Sequence, residues 1–98
     1  MHDVVSTGDI YECVYYVLGG CDLLAIEGVL VNGKVSCTLS FKGEDIARLQ
    51  VEYFQGKATV NLFDFRRTYS QVNAWIAGAR KQLKTDLEKK HRGEGGTP

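Results

Sequence analysis

The pair Asn32-Gly33 constrains this chain more than any other feature, because it fixes the pairing of the residues on both sides of it. Both central positions of the tightest hairpin turn need φ > 0, and Asn-Gly meets that demand at little steric cost. A two-residue loop sets Val31 opposite Lys34, then Leu30 opposite Val35, Gly28 opposite Cys37, Ile26 opposite Leu39 and Leu24 opposite Phe41. Side chains alternate along a strand, so the pairs from Leu30 onward share one apolar face. The second strand alternates cleanly, with Val35, Cys37, Leu39 and Phe41 inward and Lys34, Ser36, Thr38 and Ser40 outward. The first carries Leu23, Ala25, Val29 and Val31 on its other face as well, with Glu27 among them opposite Thr38. A strand apolar on both faces is expected inside a sheet. The first strand is therefore predicted to be central and the second nearer an edge.

Helices flank the hairpin. Ser6-Thr7-Gly8-Asp9 reads as a helix start, Ser6 capping and Asp9 in the reciprocal position, with Ile10, Cys13, Val14, Val17 and Leu18 at helical spacing. Gly19-Gly20 ends that helix. Gly43-Glu44-Asp45 opens a second, whose inward face is Ile46, Leu49, Tyr53 and Phe54 and whose stop is Gln55-Gly56. Lys57 to Val60 is β-prone and predicts a third short strand beside the first. Asn61 caps a long helix in which Phe65, Tyr69, Val72, Ile76, Ala79, Leu83 and Leu87 recur almost as a heptad. It is expected to run to about Lys90, leaving the domain body after Gly78, with residues 92–98 as a disordered tail. The expected fold is α/β of the α+β type, in the order α-β-β-α-β-α. A small, mostly antiparallel three-stranded sheet is packed by helices, as one domain over residues 1–91 with a helical extension from about 79.

Composition narrows the class. Ninety-eight residues, 44% hydrophobic and 24% charged, suit one soluble domain. No apolar run approaches the ~20 residues of a membrane span, and the N-terminus lacks a signal-peptide pattern, so a cytoplasmic protein without membrane attachment is expected. Cys13, Cys21 and Cys37 form no CxxC pair, and the histidines, His2 and His91, lie near the ends, so neither metal nor other cofactor is expected. The formal charge is zero but divided: residues 1–56 carry a net −5 and residues 57–98 a net +5.

Catalytic readings are weak. Gly19-Gly20 sits at a helix C-terminus, the wrong end for a phosphate. Asp9 and Glu12 lie three apart on the first helix and Glu44 with Asp45 open the second, and helix capping accounts for three of the four. No Ser-His-Asp or Cys-His set is assembled. The chain is expected not to be an enzyme.

Leu18-Gly19-Gly20 leading to Leu23-Leu24, Tyr53-Phe54-Gln55-Gly56-Lys57-Ala58, and Val60-Asn61 followed by Phe65 resemble a family of short prokaryotic and phage-borne domains of unknown function. The resemblance covers about residues 8–77 and rests on helix stops, a turn and a cap. It implies a bacterial or mobile-element origin and supplies no activity or site residues.

Surface-seeking apolar residues carry the functional expectation. Leu23, Val29 and Val31 on the first strand, Tyr11 and Tyr15 on the first helix, and Leu83 and Leu87 on the last are more apolar surface than so short a chain readily hides. They point to a protein–protein interaction module that self-associates, a dimer being favoured. The alternative is a small nucleic-acid-binding accessory protein of a bacterial or mobile-element system, using Arg66, Arg67, Arg80, Lys81 and Lys84.

Overall fold

A computed structural model describes residues 3–96 of the chain, with side chains for residues 3–88. His2 and the side chain of His91 lie outside the described residues, as do residues 97 and 98 of the expected tail.

The elements are β1 (Asp3–Thr7), α1 (Ile10–Leu18), β2 (Asp22–Val31), β3 (Lys34–Gly43), α2 (Ile46–Phe54) and α3 (Leu62–Gly96). They build an α+β fold with a three-stranded antiparallel sheet in the order β1-β3-β2. The hairpin turn is as expected, with Asn32 at φ 52° and Gly33 at φ 78°. The register follows from it: Val31 faces Lys34, Leu30 faces Val35, Gly28 faces Cys37, Ile26 faces Leu39 and Glu27 faces Thr38. A bulge between Leu23 and Ala25 then shifts it by one residue. Leu23, not Leu24, meets Phe41, so Leu23 packs against the core and Leu24 is turned outward and exposed.

Two expectations about the sheet are corrected together. The third strand comes from the N-terminus: Val5 pairs with Phe41, Thr7 with Leu39, and Ser6 with Ser40, whose hydroxyls lie 2.8 Å apart. Ser6 is therefore a strand residue and Asp9 is the cap of α1, its carboxylate accepting the Tyr11 N–H at 2.9 Å. Residues 57–60 form no strand. Thr59 and Val60 line a cleft with Tyr15, Leu18 and Leu49, on the helical side of the molecule and away from the sheet edges. With β1 paired to it, β3 is the central strand and β2 an edge strand. The clean alternation of β3 reflects one helix-covered face and one open face.

All three helices pack on the same side of the sheet. Val5, Cys37, Leu39 and Phe41 are buried beneath them, with Cys13, Val14 and Tyr16 of α1, Ile46 and Leu49 of α2, and Val72 of α3 completing the core. Phe54, expected to face inward, is two-thirds exposed. Gly19 caps α1 and Gly20 adopts φ 86°, while the N–H of Cys21 closes back on the Tyr16 carbonyl at 3.0 Å. Asn61 caps α3 by accepting the Asp64 N–H at 3.1 Å. Asp64 turns to Arg67 rather than back to the cap.

α3 is one continuous helix through Gly78 and past Lys90 to Gly96. Its second half does not leave the body where expected. Ala79 packs against the core, and Leu83 lies over β2 so closely that a Cβ on Gly28 would stand 2.8 Å from its Cδ2. The glycine is what admits the helix to the sheet there.

Candidate functional site

Two surfaces and one internal cluster hold the polar and apolar groups from which a site could be built. The first is the edge and outer face of β2. Val29 and Val31 project outward from it with half their surface exposed, and Leu24 and Leu30 are also exposed. A two-residue turn makes Val31 and Lys34 a hydrogen-bonded pair, so in an antiparallel ladder Val29 and Glu27 also bond to β3. The backbone N–H and C=O groups of Ile26, Gly28 and Leu30 consequently point to the open edge. An edge strand of ten residues with this much apolar surface is a template for a further strand.

Of the other residues expected at an interface, Leu23 is half-buried against the core, and Leu83 is half-buried with its side chain against Gly28 of β2. Leu87 is 37% exposed. Tyr11 is exposed on α1 yet stacked on Phe65 and Tyr69, at 6.0 and 5.8 Å between ring centroids. Tyr15 is half-buried and its hydroxyl donates to Glu52 at 3.0 Å. These tyrosines fasten α1 to α3 and α2. Sequence reasoning misses Leu24 and Leu30 as surface residues: the bulge that turns Leu24 outward has no mark in the sequence, and Leu30, opposite Val35, shares the pattern of the buried face.

The second surface is the outward face of α3. Arg66 and Arg67 line a shallow cleft of about 300 Å³ with Phe63 and Ser70. Arg80, Lys81 and Lys84 line another, of about 510 Å³, with Val35 and with Lys34 of the hairpin tip. The expected basic residues thus fall into two clusters, and Lys34 is an unforeseen member of the second. All six cations are exposed, and only Arg67 has an ion-pair partner among the described residues, Asp64 at 3.3 Å.

The third is an internal hydroxyl–carboxylate network. Glu12 is buried, 3% exposed, and accepts from the Thr7 hydroxyl at 2.8 Å and from the Tyr16 hydroxyl. Thr7 in turn accepts the Asp9 N–H at 3.0 Å, and the Tyr53 hydroxyl donates to Asp9 at 2.7 Å. The network joins β1, α1 and α2. Burial pushes the Cys13 thiol up to about 12, and the adjacent Glu12 and Asp9 carboxylates act in the same direction. The Tyr53 phenol is raised as well, first by burial and then by its bond to Asp9.

Because the folded chain holds these protons more tightly than the unfolded chain, the associated stability is complete below the ordinary thiol value of 9.0 and is lost as pH rises toward 12. The urea midpoint is expected to hold through neutral pH and to fall from about pH 9 upward, and Cys13→Ala to flatten the early part of that fall. A midpoint insensitive to alkaline pH would contradict the assignment.

No arrangement of a base beside a nucleophile in a cleft emerges from these groups. The cleft of about 450 Å³ beside Gly19 and Gly20 sets Asp22, Glu44 and Asp45 against Lys42, a net negative lining that repels phosphate. Among the described residues no three His, Cys, Asp or Glu side chains gather as a metal cluster, and no helix is long and apolar enough to cross a membrane. No family model matches the chain, and neither a curated protein nor a solved structure is significantly similar to it.

Proposed function

We propose that this chain is a non-enzymatic interaction module that self-associates by strand addition at β2. The observation that supports it is the combination of an open edge, outward backbone groups at Ile26, Gly28 and Leu30, and exposed Val29, Leu30 and Val31 on the same strand. Main-chain hydrogen bonds supply affinity in strand addition, and alternate side chains supply register. A two-fold axis at Val29 sets Val29 against its copy and aligns the free groups of Gly28 with those of Leu30. It also keeps the two Glu27 carboxylates apart, whereas an axis at Glu27 would oppose like charges directly. The bulge near Leu24 blunts the far end of the edge, which limits pairing to about Ile26–Val31.

Light scattering across a size-exclusion peak tests the reading. The expected mass is twice that of the 10.9 kDa chain. Leu30→Pro removes an N–H that β3 does not use, so it is expected to give a monomer with an unchanged far-UV spectrum. Val29→Lys, on the outer face, gives the same result should the proline variant fail to fold. A wild-type monomer at high micromolar concentration, or a dimer that survives both variants, overturns the proposal.

A further inference from the structure

Between Phe65 and Thr85 the chain contains five basic residues and no acidic one. On α3 this stretch presents one continuous exposed face: Arg66 and Arg67 at one end, Arg80, Lys81 and Lys84 at the other, and Ser70, Asn73, Ala74, Ala77 and Gly78 between. The two ends are far apart but in phase. Arg67 and Lys81 are separated by fourteen residues, close to four full turns, which sets them about 21 Å apart along the axis on the same side of the helix. The middle is smooth. A Cβ built on Gly78 meets nothing within 4 Å, and the bulky Tyr69, Val72, Trp75 and Ile76 turn inward to the core.

We propose that this face of α3 is a binding surface for B-form duplex DNA. Charge decides first against the same face of a second copy. Packed antiparallel about Ala74, two such helices bring Arg67 against Lys81, and packed parallel they bring each cation against itself. The occupant must carry negative charge. The absence of aromatic anchors from the face decides next. Protein interfaces are built on aromatic anchors and are depleted in lysine at their centres, while this face has small and amide side chains at its centre and cations at its ends.

That pattern fits a grooved polyanion. A major groove about 12 Å wide admits an α-helix, and a helix lying obliquely in it meets one bordering phosphate backbone near each end. Arg66 and Arg67 serve one backbone. Arg80, Lys81 and Lys84 serve the other, with Lys34 of the hairpin tip reaching the same strand from beside them. Ser70, Asn73 and Ala77 face the base edges, where Asn bonds adenine and a methyl meets thymine. The deep, narrow groove of A-form RNA excludes such a helix.

The test is fluorescence anisotropy of the full-length chain with an end-labelled, mixed-sequence duplex of two helical turns. With about four phosphates engaged, binding is expected to weaken on the order of 100-fold between about 50 and 200 mM salt. Arg67→Glu and Lys81→Glu sit at opposite ends of the face. Each is expected to weaken binding at least tenfold and to lower the slope of the log–log salt plot by about 1. Lys57→Glu makes the same charge change in the loop before α3 and is expected to leave binding within twofold. Circular dichroism confirms that each variant retains its helix. The proposal is overturned by absence of binding at low salt, by equal losses in all three variants, or by loss from one end only. It is also overturned if polyglutamate or duplex RNA of matched charge displaces the DNA equally well.

Discussion

Replacing Phe41 with alanine is expected to remove about 3–5 kcal/mol of stability, a large part of the roughly 5–15 kcal/mol that holds a domain of this kind folded. Phe41 lies on the central strand, paired with Val5 on one side and Leu23 on the other, and is fully buried beneath the helices. Its ring meets the edge of Tyr16 at 5.7 Å between centroids, and such a pair contributes beyond the area it buries. Removing the ring opens a void at the point where β1, β2, β3 and α1 come together, and a strand held by neighbours on both sides cannot collapse to fill it. Phe54 is the matched comparison. It is the same side chain, 67% exposed at the end of α2, and Phe54→Ala is expected to cost no more than about 0.5 kcal/mol. Urea unfolding of the two variants, read as midpoints at constant slope, checks both values. Equal losses would mean that the core does not centre on β3.

The contrast between these two phenylalanines shows how far the sequence can be read. The turn at Asn32-Gly33 is chemically specified, so the hairpin register from Val31 to Ile26 is legible residue by residue. Both glycine helix stops and the Asn61 cap are legible for the same reason: few residues satisfy those backbone conformations or capping bonds. What fails is anything decided by a partner remote in sequence. Val4, Val5 and Thr7 are β-branched and suit a strand, but Ser6 and Thr7 also fit a helix cap. Only the presence of an open β3 edge decides between the two. With residues 3–7 read as a helix start, residues 57–60 are the remaining β-prone stretch, and β2, apolar on both faces, has the pattern of a central strand.

The functional surfaces follow the same division. The basic residues of α3 are legible as a list, since helical phase places Arg67 and Lys81 on one side, but Lys34 joins them only through tertiary packing. Leu83 was legible as apolar, whereas its burial depends on a glycine fifty-five positions earlier in the chain, Gly28, that lets the helix approach. Tyr16 and Glu12 are buried because α1 is covered by the sheet on one side and by α2 and α3 on another. A single amphipathic stripe cannot announce that.

Tyr16→Phe carries the other large expected effect, and its interest lies in what it leaves behind. The Tyr16 hydroxyl donates to one oxygen of the buried Glu12 carboxylate, while Thr7 donates to the other at 2.8 Å. No cation shares the site among the described residues, so hydroxyl donors alone offset the cost of keeping that carboxylate from water. Burial and the bond to Glu12 both hold the Tyr16 phenol in its protonated, donating form. Removing the hydroxyl leaves a buried carboxylate oxygen without a donor, an expected loss of about 1.5–3 kcal/mol. A buried polar pair is worth less than the penalty for breaking it, because replacing both partners by apolar groups removes the stranded charge along with the bond. The double variant Glu12→Met/Tyr16→Phe is therefore expected to lie within about 1 kcal/mol of wild type and above Tyr16→Phe alone, with Thr7 free to turn its hydroxyl to solvent. A double-mutant cycle by urea unfolding measures the coupling directly. Additive losses from the two single changes would show that Glu12 and Tyr16 act independently, and that the network joining β1 to α1 is not what keeps the carboxylate buried.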